Sequence, residues 1–265
     1  MNILDQINEN KRREIAEAKG KVTIDQLKAS PYFKRPMNSL KTALLAKGAS
    51  GIIAEFKTQS PSKGVINGDA EASEVTAAYM AAGASGLSVL TEEAYFGGSF
   101  EDLAKARWAN PKAPILRKDF MLDPYQIFEA KAHGADVILL IAESLSKQLL
   151  LELTQTAKQI GLEVLVEIHS AEELDKLNPQ VDLVGVNNRN LKTLEVDINT
   201  SILLSEQIPA QFVKISESGI SDVDSIEQLK AAGFKGFLIG ETFMKTEDPG
   251  KACAEFINVT TKRLT

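Results

Sequence analysis

Of the residue types that usually mark a reactive site, this chain has little: one cysteine and two histidines in 265 residues. A lone Cys253 cannot form an intrachain disulfide, which excludes a secreted, disulfide-stapled scaffold. Set among Ala252, Ala254 and Phe256, it reads as a buried packing residue. So few sulfur and imidazole ligands, without metal-binding spacing, lead us to expect no metal site. The longest apolar run, residues 137–142, falls far short of the ~20 residues that cross a bilayer. Asp5, Glu9 and Glu14 interrupt the N-terminal apolar residues, so no signal-peptide core is present. Basic residues are outnumbered, 30 Lys and Arg against 36 Asp and Glu. That balance argues against a nucleic-acid or anionic-membrane partner. The expectation is a cytoplasmic monomer with a small-molecule ligand.

What the sequence does have is a rhythm. Six short apolar runs stop on a charged or strongly polar residue: Glu55 to Lys57, Arg117 and Lys118, Glu167, Asn187, Glu217, and Glu241. A buried strand has no structural use for a charge at its end, since burying an unpaired charge costs several kcal/mol, roughly. Strand starts fall near Ile52, Gly86, Pro114, Asp136, Glu163, Asp182, Phe212 and Gly236. Helical patterns separate them at 72–82, 100–108, 124–133, 147–160, 171–177, 200–206 and 223–232. Several end on a C′ glycine, at Gly83, Gly134 and Gly233. Others open on a cap: Asp123 before Pro124, Ser170 with Glu173, and Ser221 with Asp222. Eight strand-helix units predict a parallel sheet closed into a (β/α)₈ barrel. An open doubly wound sheet is the alternative, but the G-x-G-x-x-G turn it normally carries is absent.

Residues 1–47 differ. Ile3, Leu4, Ile7 and Ile15 have helical spacing, residues 23–26 form a capping box, and a short helix is expected over 39–47. We read 1–47 as a helical extension packed on a barrel of residues 48–265, one domain overall.

In a parallel barrel the strand-end groups converge on one face, where such folds carry their active sites. Lys57, Lys63, Arg117, Lys118 and Arg189 all fall in strand-end segments and suggest a cationic pocket for a small anion. Lys118 and Glu167 read as general acid and base, the lysine with a lowered and the glutamate with a raised pKa. A structural ion network that includes Glu55 and Lys57 is the plainer alternative. Lys57 and Ser60 can engage an anion, and Arg189 offers a fork that matches a carboxylate. Phe96 and Phe120 can wall an aromatic pocket. The glycine-containing turns at 216–221 and 239–242, after strands 7 and 8, suit a phosphate cradle. Lys63 and His133 read as solvated, and His169 as part of the next helix cap.

Together these segments closely resemble the indole-3-glycerol phosphate synthase family. The carrying stretches are Ile53–Lys57 with Ser60–Gly64, Leu116–Phe120 with Asp123–Gln126, Val186–Leu191, Ser216–Ile220 and Ile239–Glu241. The likeness covers essentially the whole chain; Thr58 and Gln59 depart from it, where basic or small residues are usual. The resemblance implies the substrate 1-(2-carboxyphenylamino)-1-deoxyribulose 5-phosphate and no cofactor. It places the phosphate on Ser218, Gly219, Gly240 and Glu241, and the carboxylate on Lys57, Ser60 and Arg189. Phe96 and Phe120 would enclose the ring. Lys118 would protonate the ketone and Glu167 remove a proton, with Lys118 or Lys57 protonating the departing hydroxyl. Glu55, Asn187 and Glu217 would support the developing charge. A monofunctional enzyme is expected. A Schiff-base sugar-phosphate aldolase using Lys118, or a non-catalytic sugar-phosphate-binding barrel, are the competing readings.

Overall fold

A computed structural model describes residues 3–190, 193 and 195–264. Leu191, at the end of one family-like stretch, lies outside the described residues. Eight strands are all parallel: β1 (Ile52–Phe56), β2 (Gly86–Leu90), β3 (Ile115–Lys118), β4 (Val137–Ile141), β5 (Glu163–Ile168), β6 (Leu183–Asn187), β7 (Val213–Glu217) and β8 (Gly236–Ile239). They close in sequence order, β8 pairing back to β1, into a (β/α)₈ barrel. A two-stranded hairpin (Gln59–Ser60 with Gly64–Val65) follows β1.

Strand parity decides which side chains reach the barrel interior, because successive residues face opposite sides. One set, including Ile53, Leu116, Leu139, Leu165, Leu183, Ile215 and Leu238, packs together inside. The other, including Ala54, Ile115, Leu140, Val166, Val184 and Ile239, packs against the outer helices. Followed upward, the inner parity arrives at Glu55, Lys118, Glu167, Asn187 and Glu217. Arg117 has the outer parity.

The N-terminal helices are α1 (Ile3–Lys21), α2 (Ile24–Lys28) and α3 (Leu40–Leu45). The predicted capping box at Thr23 and Gln26 is formed, and Ser39 caps α3. Leu40 and Leu44 of α3 join the inner cluster and close the lower end of the barrel. Gly86 and Gly236 make room: a Cβ on Gly86 would lie 2.6 Å from Leu40 Cδ1, and one on Gly236 would lie 3.2 Å from Leu44 Cδ1. Glu163, at the foot of β5, accepts from Ser39 Oγ and from the amides of Leu40 (2.8 Å) and Lys41 (3.2 Å). At the foot of β4, Asp136 accepts from Arg35, Asn38 N, Ile115 N and the buried Arg107.

The barrel helices are α4 (Ala72–Ala81), α5 (Glu93–Phe96), α6 (Phe100–Ala109), α7 (Pro124–Ala132), α8 (Lys147–Gln159), α9 (Asn199–Ser205), α10 (Val223–Ala231), α11 (Glu241–Met244) and α12 (Pro249–Leu264). One expectation fails here. Residues 171–176 form a 3-10 helix, and Ser170 makes no side-chain cap. Its intended partner Glu173 instead accepts from His169 N at 2.7 Å. The cap near 221 is Asp222, which accepts from Ser225 N. Cys253 is buried, as expected. Among the described residues no helix is long and apolar enough to cross a membrane.

Candidate active site

A cavity of about 450 Å³ opens at the C-terminal end of the strands. All fourteen residues named above as catalytic or substrate-binding line it: Glu55, Lys57, Ser60, Phe96, Lys118, Phe120, Glu167, Asn187, Arg189, Glu217, Ser218, Gly219, Gly240 and Glu241.

Lys118 stands at its centre. Its Nζ lies 2.9 Å from Glu167 Oε2 and 3.3 Å from Glu217 Oε2. Asn187 Nδ2 donates to the other Glu167 oxygen at 3.1 Å. Lys57 Nζ contacts Glu55 Oε1 at 3.1 Å, while Ser88 donates to Oε2 at 3.1 Å. The site therefore holds two ammonium-carboxylate groupings, one based on β3, β5 and β7, the other on β1.

Their electrostatics reverse the sequence expectation. Burial alone would lower the pKa of Lys118, but Glu167, Glu217 and Glu55 outweigh it and raise that pKa above the ordinary lysine value. Burial pushes Glu167 up, yet Lys118, His169 and the Asn187 hydrogen bond hold it well below the usual carboxylate range. Glu217 is the glutamate that rises: burial, with Glu167 and Glu55 nearby, outweighs Lys118 and pushes it to about 8. One of the two acids in contact with the Lys118 ammonium thus keeps its proton near neutrality.

The rim carries the turns that the sequence reading assigned to an anion. Ser218 (φ 68°) and Gly219 (φ 74°) turn the chain sharply after β7, and the serine is the only described non-glycine residue with positive φ. Such backbone is retained where the surroundings demand it. A Cβ at Gly219 would lie 2.3 Å from Val196 Cγ1, and one at Gly240 would lie 2.7 Å from Glu55 Oε1. These close approaches require glycine at both turns. Glu241 pairs its carboxylate with Lys63 at 3.8 Å, so toward an anion it has only its backbone to offer. Phe96 and Phe120 sit 6.1 Å apart, tilted by 38°, on one wall.

The pattern of the family described as indole-3-glycerol phosphate synthase matches residues 4–256 of this chain. The chain belongs to that family. An indole-3-glycerol phosphate synthase of Bacteroides thetaiotaomicron is 49% identical over 255 residues, covering 96% of this chain and 97% of the relative. That of Salinibacter ruber is 42% identical over 254 residues, 95% of this chain and 94% of the relative. Among solved structures, 3-hexulose-6-phosphate synthase from Salmonella typhimurium superposes with a TM-score of 0.64 at 13% identity, covering 80% of this chain and 99% of that one. The tryptophan synthase α subunit of Legionella pneumophila gives 0.63, also at 13% identity, over 85% and 98%. At such identities these two likenesses speak for the fold alone.

Within this synthase-family site, several sequence expectations need correction. Arg117 is not in the pocket. It is buried on the outer side, bonded to Thr91, Asp119 and the Gln126 carbonyl, with Phe100 at 4.4 Å. Nor is the pocket simply cationic: Glu55, Asp119, Glu167, Glu217 and Glu241 line it along with Lys57, Lys63, Lys118, Arg189 and Lys245. Lys63 is exposed as expected. His133 is partly buried and stacks on Phe100 at 4.1 Å, rather than standing in solvent. Thr58 and Gln59, the departure from the family pattern, bond to the Gly97 and Tyr95 carbonyls and tie the loop after β1 to the loop after β2.

Other lining residues escaped the sequence reading. Ile3, Leu4 and Ile7 of α1 reach the mouth, and Lys11 of the same helix pairs with Asp119 at 3.0 Å. Lys245 adds a cation beside the turns after β7 and β8, where Ser221 and Thr242 of the predicted turns also line the cavity. His169 Nε2 lies 3.3 Å from Glu167 Oε1. Proximity in sequence to the strand end was the one available signal for His169; for α1, some 110 residues from Lys118, there was none.

Proposed function

We propose that this site closes the indole ring of 1-(2-carboxyphenylamino)-1-deoxyribulose 5-phosphate, losing carbon dioxide and water, to give indole-3-glycerol phosphate. The observation that carries the reading is the Lys118 ammonium, 2.9 Å from Glu167 and 3.3 Å from Glu217 on the floor of a cavity with anion-binding groups at its rim. In that arrangement the phosphate lies on the turns of Ser218, Gly219, Gly240 and Glu241. The benzoate carboxylate faces Lys57, Ser60 and Arg189, and its ring rests between Phe96, Phe120 and the apolar start of α1.

Lys118, kept as an ammonium, gives its proton to the ketone oxygen as the carboxylate-bearing ring carbon attacks the ketone carbon. The C–CO₂ bond then breaks, and its electron pair restores the aromatic ring. Glu167, kept ionised, removes a proton in the dehydration that follows, and a lysine protonates the leaving hydroxyl. Lys57 suits this second donation, since it has a carboxylate partner of its own and leaves Lys118 free to recover its proton. Glu55 and Asn187 steady the cationic intermediate and the sugar hydroxyls. Glu217 supports Lys118. The electrons move within the substrate, so no cofactor is invoked. A Schiff-base aldolase would need Lys118 as a neutral amine, which the ionised Glu167 at 2.9 Å opposes.

We further propose that the chain acts as a cytoplasmic monomer, with residues 1–47 completing the same domain as the barrel. The test is direct: anilino-deoxyribulose phosphate supplied to the purified chain should yield the ultraviolet absorbance and fluorescence of an indole. Absence of that product, or a borohydride-stable adduct on Lys118, would overturn the assignment.

A further inference from the structure

We propose that His169, held as an imidazolium among three carboxylates, is a positioning residue that fixes Glu167 in place and keeps it ionised. The inference rests on Glu167 being the base of the reaction above. His169 is the first residue past β5, and its parity returns it to the side of Glu167. Its Nε2 is 3.3 Å from Glu167 Oε1, the oxygen that also accepts from Asn187. Glu167 Oε2 is thereby left to Lys118 and the substrate. On the far edge of the ring, Nδ1 faces Glu143 Oε2 at 3.9 Å and Glu173 Oε2 at 3.8 Å.

The side chain is nine-tenths buried, and neither ring nitrogen has a well-directed hydrogen bond. A neutral imidazole would turn one bare lone pair toward carboxylate oxygens in either tautomer, which is repulsive. A ring protonated at both nitrogens removes that conflict. Two further cations lie in the surroundings. Lys176, on the 3-10 helix that follows, gives its ammonium to the Ala142 and Leu145 carbonyls. Arg189, from the loop after β6, lines a second cavity of about 560 Å³ together with Glu143, Glu172, Glu173, Glu195 and Asp197. Burial works against the charged ring, yet Glu167 and Glu173 more than offset it and raise its pKa to about 10.

The competing occupant is a divalent cation, because Nδ1 and one oxygen each of Glu143 and Glu173 lie within 4.8 Å of one another. One experiment separates the two. The sequence has only two histidines, so ¹⁵N-histidine labelling of the full chain gives two imidazoles to observe, assigned with His133→Asn. Without substrate and near pH 8, His169 is expected to be protonated at both nitrogens. His133 is expected to be neutral there, because burial lowers its pKa. The double variant Glu143→Gln, Glu173→Gln should bring the His169 titration down into the observable range. Kinetically, His169→Gln should lower kcat by up to about 100-fold, the scale of a misplaced catalytic group. Its KM should change little, and the acid limb of kcat should move to higher pH. His169→Lys, which restores a cation, should return the limb toward its original position. A neutral His169 near pH 8, an Nδ1 signal that shifts when EDTA removes a bound ion, or a His169→Gln enzyme with unchanged kcat and pH limb would each overturn the proposal. The labelling result needs no turnover, so it stands or falls separately from the assigned reaction.

Discussion

Lys118 is approached by more acid than one ammonium can balance, and the consequences can be measured residue by residue. Replacing it with alanine removes the proposed proton donor and leaves Glu167 and Glu217 facing each other without a cation. Turnover should fall by at least ~10²-fold, and near-normal kcat would remove Lys118 from its role. Glu217 gives a second test. Folding raises its pKa from 4.5 to about 8, so between those values the folded chain holds a proton that the unfolded chain has released. Stability from this group is therefore complete below pH 4.5 and is lost as pH rises toward 8. Glu217→Gln, which mimics the protonated acid, should gain stability relative to the parent over that interval and level off above it. A difference in denaturant midpoint that stays flat with pH would contradict the shift. Which glutamate is raised was not legible in the sequence. Lys118, Glu167 and Glu217 are separated by 49 residues or more, and the sign of each shift depends on distances that only barrel closure sets.

At the scale of elements, the strands were the most legible part, for a simple reason. A period of two combined with a polar terminal residue specifies which side chains face inward, and β1, β3, β5, β6 and β7 all follow that rule. Arg117 shows its limit: adjacent to Lys118, it reads as the same cluster until parity sends it to the opposite side. The 3-10 turn at 171–176 shows another limit. Ser170 and Glu173 have the spacing of a capping box, but Glu173 is drawn to the His169 amide. The role of α3 in closing the barrel floor was invisible, because the glycines at 86 and 236 that admit Leu40 and Leu44 do not reveal what they make room for. Leu40 is fully buried. Leu40→Ala should destabilise the chain by about 2–5 kcal/mol through lost burial and a residual cavity. A loss under ~1 kcal/mol in urea unfolding would mean that α3 does not seal the floor as a packed plug.

For the molecule as a whole, charge is arranged against its own average. The chain carries a formal −6, which should repel a substrate bearing both phosphate and carboxylate. Locally the balance is far less acidic, and we propose that Lys57, Lys63, Arg189 and Lys245, which line the candidate cavity among its carboxylates, guide the substrate in. Fields from such a cleft act over roughly the Debye length, about 10 Å at 0.1 M salt, so the approaching anion responds to the rim before the distant acidic surface. Raising ionic strength should therefore lower kcat/KM, with kcat nearly constant because the buried groups around Lys118 are poorly screened. Lys63→Gln combined with Lys245→Gln should flatten that salt dependence while leaving the Lys118–Glu167 contact intact. If net charge governed the encounter instead, added salt would relieve repulsion and kcat/KM would rise. The sign of one slope thus decides whether the rim or the whole protein steers the substrate.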